Sequence, residues 1–238
     1  MNDFLDKELG PVVVKRNSRA KKVIVRRKHN AVEMTVPARM TQSEIKKHFN
    51  DLKPQILKLP VKEVIKITEE SEIKTFTFDV AITRKSLYND KIDMSLKEGI
   101  VTIDVPAQYD IEQEYVQMGI KSLIIHALRH EAKRVLPYKV ASFAKKLNLQ
   151  VGQVKINNSK QRWGSCSNKK NINLSLFLMM MPEHLIDYVI LHELAHTIEL
   201  NHSPRFWQLL DKFCDGKAQE LDRESTYWNS DYLYWLKQ

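Results

Sequence analysis

The most constraining stretch of this sequence runs from Pro182 to Ser203, where an apolar segment, Tyr188 to Ile198, is interrupted by His192, Glu193 and His196. Apolar on several sides, it reads as a buried helix, and polar groups inside a core need partners. Pro182 occupies a helix-start position, and Glu183 and Asp187 follow in the early turns, where carboxylates suit the positive end of the helix dipole. His192 and His196 are four residues apart. Four residues rotate a helix by about 400°, so both imidazoles leave the same face one turn apart and one divalent ion can take both. Glu193 points roughly 60° away from His196 around the axis. It can therefore stand beside the ion and reach a water on it without ligating, which is the physical content of a His-Glu-x-x-His pattern.

A catalytic zinc usually has three protein ligands and one open position. The third has two candidates on this chain. His202, six residues after His196, shares the face only if the chain turns back; Asn201 is expected to supply that turn by adopting a left-handed conformation, and Pro204 stops the same helix from continuing. Glu199 is the rival, three residues after His196, although one rigid helix rarely wraps an ion. His184, two turns before His192, is expected to cap or pack. The histidine spacing is also that of the metzincins, but those place Gly where Glu199 stands and need a downstream Met, and no Met follows residue 181.

Upstream, the periodicity predicts strands at Lys22–Arg26 and Ala31–Val36 around a turn at His29-Asn30, then a helix capped by Thr41 or Ser43 and running to about Leu52. Val32-x-Met-x-Val-Pro-Ala38 is echoed by Val101-x-Ile-x-Val-Pro-Ala107, a pattern expected of a duplicated strand–helix unit or of strand chemistry recurring before proline. Residues 58–74 read as a Lys- and Glu-rich connector. Apolar spacing predicts a long amphipathic helix from Ile111 to Leu136, ended or kinked by Pro137, and a second short one from Tyr138 to Leu147. Val154–Ile156, Gln161–Ser167 and Asn171–Phe177 are strand candidates, the last two joined by a turn at 168–171. The chain is accordingly divided into a β-rich portion, 1–110, and a metallohydrolase domain, 111–238.

Charge is unevenly spread. Residues 1–110 hold 21 basic and 16 acidic residues, 111–170 hold 12 and 3, and 171–238 hold 5 and 10. A basic field can attract nucleotides, nucleic acid or acidic proteins, and it can equally be a solvated surface. The longest apolar stretch, Leu174–Pro182, is too short to span a bilayer. The start of the chain lacks the pattern of a secretory signal, and Cys166 and Cys214 give no disulfide framework. The expected setting is cytoplasmic, without a membrane partner. The oligomeric state is not readable.

Arg162-Trp-Gly-Ser-Cys-Ser167, then Ile-Asn-Leu, then Tyr188-Val-Ile-Leu-His-Glu-Leu-Ala-His196, then Asn201-His-Ser-Pro-Arg-Phe-Trp207 resembles the YgjP-like metallopeptidase family, which is related to the SprT-like and Wss1-like zinc proteases. The resemblance is specific from about residue 155 to 210. It implies an α+β fold with a zincin-like core, a small sheet packed on the active-site helix, and an N-terminal β-rich portion. It also implies one Zn2+ per chain, His192, His196 and His202 as ligands and Glu193 as general base. The reaction expected is hydrolysis of a polypeptide by a metal-bound water. The alternatives are a nucleotide pyrophosphohydrolase of UTP type, suggested by the basic middle of the chain, and a DNA-associated protease, suggested by the basic residues of 15–28. The segment from Arg162 to Phe177 could align an extended substrate through its main chain. Arg162 and Trp163 could instead be packing residues, and Cys166 is a minor nucleophile candidate.

Overall fold

A computed structural model describes residues 3–27, 31–59, 65–86 and 90–231, the last with side chains to 228. The chain divides into two compact units, Met1–Ile65 and Lys66–Gln238.

In the first unit, strands β1 (Phe4–Asp6), β2 (Gly10–Asn17), β3 (Ile24–Arg27) and β4 (Val32–Pro37) form a sheet in the order β1-β2-β4-β3. Alternation along β4 turns Val32, Met34 and Val36 to one face, where they are fully buried with Ile45, Phe49 and Ile56 of the helix α1 (Gln42–Lys58). Each such aliphatic side chain contributes about 1.5–3 kcal/mol on burial. Thr41 caps α1 in a capping box with Glu44. The helix outruns the expected stop near Leu52 and passes through Pro54 to Lys58, because Ile56 is buried in the same core and Arg27 Nη1 donates to the carbonyls of Ile56, Leu57 and Leu59 at the helix end. The expected turn at His29-Asn30 lies outside the described residues, as do residues 60–64 of the connector.

The second unit repeats the arrangement. Strands β5 (Ile73–Lys74), β6 (Asp79–Lys85), β7 (Asp93–Lys97) and β8 (Ile100–Pro106) form a sheet in the order β5-β6-β8-β7, and a helix, α2 (Glu114–Lys146), follows. Both sheets pair their outer strands antiparallel and their central strands parallel. The two Val-Pro-Ala echoes fall on β4 and β8. Arg16 lies across from Val36, and Arg84 from Val105. Each arginine then donates to the carbonyls just beyond its Pro: Arg16 to Ala38 and Met40, Arg84 to Ala107 and Tyr109. A shared register and a shared guanidinium clamp are more than alternating valines require, so the echo marks a repeated strand–helix unit.

Helix α2 is continuous through Pro137, where a break or kink into two helices was expected. Leu136, Val140 and Ala144 continue one buried stripe, so packing outweighs the single backbone hydrogen bond that proline removes. This helix also explains where the units part. Val101, Ile103 and Val105 of β8 share one core with Val116, Ile120 and Ile124 of α2 and with Leu185 and Ile190 farther on. Residues 66–110 therefore belong with the downstream elements rather than with residues 1–65.

A third sheet follows: β9 (Val154–Asn157), β10 (Gly164–Cys166) and β11 (Ile172–Ser175), in the order β10-β11-β9. The antiparallel β10–β11 pair is the expected one, closed by a turn at Ser167–Lys170. A short 3-10 turn, Leu176–Met180, replaces the predicted end of the second strand. Helices α3 (Glu183–Ala195), α4 (Pro204–Phe213) and α5 (Ala218–Asp231) complete the unit. The architecture is mixed α+β with small sheets. Among the described residues no helix is long and apolar enough to cross a membrane.

Candidate metal centre

Helix α3 starts after Pro182, which takes the N-cap position rather than the first helical one. Its Leu185, Ile186, Ile190 and Leu194 are completely buried, which fixes the helix's rotation. His192 is in its last turn and His196 is its C-cap residue. The chain then turns back through residues 197–199, with Thr197, Ile198 and Glu199 donating their N–H groups to carbonyls of the last helical turn. Asn201 does not adopt the left-handed conformation expected of it; the non-glycine residues with positive φ among those described are Glu98, Asn148, Lys170 and Asp215. The reversal comes from that hydrogen-bonded turn and from the start of α4, where Ser203 caps the helix and Pro204 opens it.

The result brings His202 to the other two imidazoles. His202 Nε2 lies 3.0 Å from His192 Nε2 and 3.2 Å from His196 Nε2. Tetrahedral zinc with Zn–N bonds of about 2.0–2.1 Å requires ligand nitrogens about 3.3 Å apart. The observed edges fit that figure, and three nitrogens converging on one point leave lone pairs that a cation satisfies. His192, His196 and His202 are the group of three or more such side chains placed to hold an ion among the described residues. Glu199 contributes differently. Its main-chain oxygen accepts from His196 Nδ1 at 3.0 Å, which leaves Nε2 unprotonated and aimed at the convergence point. His184 is drawn away to Glu224 at 2.9 Å.

Burial sets the protonation of two of these imidazoles. It pushes His192 down to about 3, with the neighbouring His196 and His202 adding to the effect, and it lowers His196 against the hydrogen bond to Glu199. Both imidazoles are thus neutral near pH 7, the form that binds metal. Phe206 of α4 forms the floor. It is fully buried, stacks on His196 with ring centres 4.5 Å apart, and meets His192 and His202 edge-on at 5.0 and 4.8 Å.

Glu193 is 5% exposed. Burial pushes its carboxyl up to about 8, while the Arg162 guanidinium pulls the other way. Its Oε2 has no hydrogen-bond partner among the described residues. The carboxylate lies against β10. A Cβ built on Gly164 would sit 2.5 Å from Glu193 Oε1 and 2.7 Å from its Cγ. Gly164 is a site residue that the sequence reading did not single out; a glycine inside a strand, marking close approach of another group, was the available signal. Tyr188, whose hydroxyl donates to Asp222 of α5 at 2.8 Å, was likewise missed and braces the helix one turn before His192. Trp163 packs on the core, as its packing reading expected. Burial and the nearby Glu193 push the Cys166 thiol up to about 11, which disfavours the thiolate that a nucleophilic role needs.

Three converging imidazoles beside a buried carboxylate belong to a metal-dependent hydrolase, and the comparison with known families agrees. The chain belongs to the YgjP-like metallopeptidase-domain family, which it matches over residues 21–224. Two solved structures are similar over part of it: the metallopeptidase zymogen of Pyrococcus abyssi abylysin, at 27% identity, and that of Methanocaldococcus jannaschii jannalysin, at 26%. Each alignment covers 39% of this chain and 94% of the other, with TM-scores of 0.35 and 0.34. No curated protein matches the sequence.

Proposed function

We propose that the chain is a zinc-dependent peptidase with a zincin-like core, holding one Zn2+ on His192, His196 and His202 and using Glu193 as general base, with the catalytic parts in residues 111–238. The convergence of the three Nε2 atoms beside Glu193 carries this reading. An ion held there supplies Lewis acidity, acidifying a water and polarising a substrate carbonyl. Glu193 takes the proton from that water and later hands it to the leaving amine. A carboxyl with a pKa raised by burial, and one oxygen unclaimed by the protein, suits both halves of that task. With an ion held on the three histidines, the Glu193 carboxyl would ionise more readily and serve as a base near neutral pH.

Substrate has a place to lie. β10 is the terminal strand of its sheet. Trp163 and Ser167 make the hydrogen bonds to Ser175 and Asn171 on β11, so by antiparallel alternation the N–H and C=O groups of Gly164 and Cys166 face outward. These unpaired groups, next to Glu193, can take an extended polypeptide by strand addition. The enclosing compartment that fits the free thiols is the cytoplasm.

Glu193→Gln should keep one zinc per chain and lower casein or peptide hydrolysis by about 10²–10⁴-fold, the range for removing a positioned general base. Full activity of that variant sinks the mechanism. Phosphate release from nucleoside triphosphates, with peptides untouched, would move the chemistry to a phosphoanhydride instead.

A further inference from the structure

The third sheet lies in a stretch of unusual charge. From Ala132 to Pro182 the chain holds ten Lys and Arg residues and no Asp or Glu. Downstream the balance reverses, so the acid-free stretch is confined to the end of α2, the third sheet and the 3-10 turn. Some of its cations are spoken for: Arg134 pairs with Glu131, and Lys139 with Glu183 and Asp187. The ones around β10 are not. Among the described residues Lys160, Arg162, Lys169 and Lys170 form no ion pair. Glu193, which lies against Gly164 of the same strand, is buried.

Their placement follows the open edge. Arg162 stands two residues before Gly164 and is close enough to Glu193 to hold its carboxyl down against burial. Lys170 stands beyond the other end, folded back by its left-handed φ of 58°, and acts on the Cys166 thiol in the same sense. The two cations thus flank, in sequence, the strand whose Gly164 meets Glu193. Lys160 is near enough to Lys121 of α2 for the two charges to repel.

We propose that this edge selects acidic polypeptide: an extended segment added to β10 with a carboxylate on either side of the stretch that pairs, one meeting Arg162 and Lys160 and the other meeting Lys170 and Lys169. The proposal rests on the peptidase reading and adds its substrate class. A strand-adding substrate supplies main-chain groups to Gly164 and Cys166 whatever its sequence, so the flanking charges are what discriminates. A nucleic acid would meet the same cations, but its bases and sugars have no use for the outward N–H and C=O groups of β10, and this favours a peptide.

The test uses three fluorogenic peptides with one common centre and Glu, Gln or Lys at both flanks, hydrolysed by the zinc-loaded protein. At low ionic strength the Glu-flanked peptide should have a kcat/KM about tenfold above the Lys-flanked one, narrowing as 0.5 M salt screens the contacts. The double variant Arg162→Glu/Lys170→Glu should abolish or invert that ratio, which is read within the variant and so does not depend on its absolute rate. A ratio within twofold in the wild type, or one the double variant leaves unchanged, overturns the proposal. Binding of the same peptides to zinc-loaded Glu193→Gln, followed by anisotropy, reads selectivity without turnover. If none of the three peptides is cleaved yet binding still ranks Glu above Lys, the peptidase reading has failed and the acidic selectivity stands. Tighter binding of a single-stranded oligonucleotide than of any peptide would overturn it in favour of nucleic acid.

Discussion

Gly164→Ala is the sharpest perturbation of the site that leaves every proposed ligand in place. The added Cβ would lie 2.5 Å from Glu193 Oε1, 2.7 Å from Cγ and 2.8 Å from Cδ. Ordinary carbon contacts begin at about 3.4 Å, so the carboxylate and the strand must separate by nearly an ångström. Glu193 has no solvent to retreat into, being 5% exposed. A displacement of about 1 Å in a catalytic group costs about 10²-fold in rate, and forcing a methyl into a packed interior costs about 1–3 kcal/mol of stability. The expected result is therefore a zinc content equal to wild type, a small drop in melting temperature and a kcat down about 100-fold on a neutral peptide. Ser165→Ala is the control, because alternation turns that side chain to the opposite face of β10. If Gly164→Ala folds, binds zinc and turns over within threefold of wild type, then Glu193 is not the group whose position limits the reaction.

Three further outcomes follow from the same geometry. His202→Ala should lower zinc affinity by orders of magnitude without unfolding the chain, since His202 is exposed whereas the fully buried Phe206 remains; metal analysis after dialysis checks this. In the metal-free chain the Glu193 carboxyl is raised from 4.5 to about 8, so the folded state holds that proton more tightly. That contribution is full below pH 4.5 and lost as pH rises through 8; between pH 6.5 and 8.5, above the window in which His192 matters, the urea midpoint should fall for wild type and stay flatter for Glu193→Gln. Cys166 and Cys214, pushed up to about 11 and about 12 by burial, should resist alkylation at pH 7.5 in the native protein, and Cys166→Ala should remain active; rapid labelling of either thiol contradicts the packing described.

The metal centre was more legible than the fold around it, for a physical reason. His192, Glu193 and His196 lie within one helical turn, where the 3.6-residue period alone fixes their directions. His202 was readable as a demand for a third ligand, but the device that returns it was not. Asn201 was the local signal for a reversal, whereas the actual turn is assembled from the N–H groups of residues 197–199, whose sequence, Thr-Ile-Glu, carries no turn chemistry. Gly164 was invisible as a site residue because its role is set by what presses on it from another element. The same limit explains Pro137 and Pro54, where the rule that proline ends a helix is local and the buried stripe that overrides it belongs to the tertiary core.

The repeated strand–helix unit bears on how the catalytic part is built. Both copies close their sheet with an arginine that ties the chain beyond the Val-Pro-Ala turn, and both then launch a helix. The first copy ends its helix at Lys58 and closes a self-contained core. In the second copy the helix runs on to Lys146, and its added turns supply the surface on which the third sheet and α3 pack. The difference between a plain unit and one that supports chemistry thus lies in the length of one helix. Residues 66–146 form a platform, and β10 and α3 then bring a bare strand edge and a buried carboxylate into contact at Gly164. That contact joins the edge where substrate would add to the group that would move its proton, which is why a single methyl at residue 164 is expected to separate binding from catalysis.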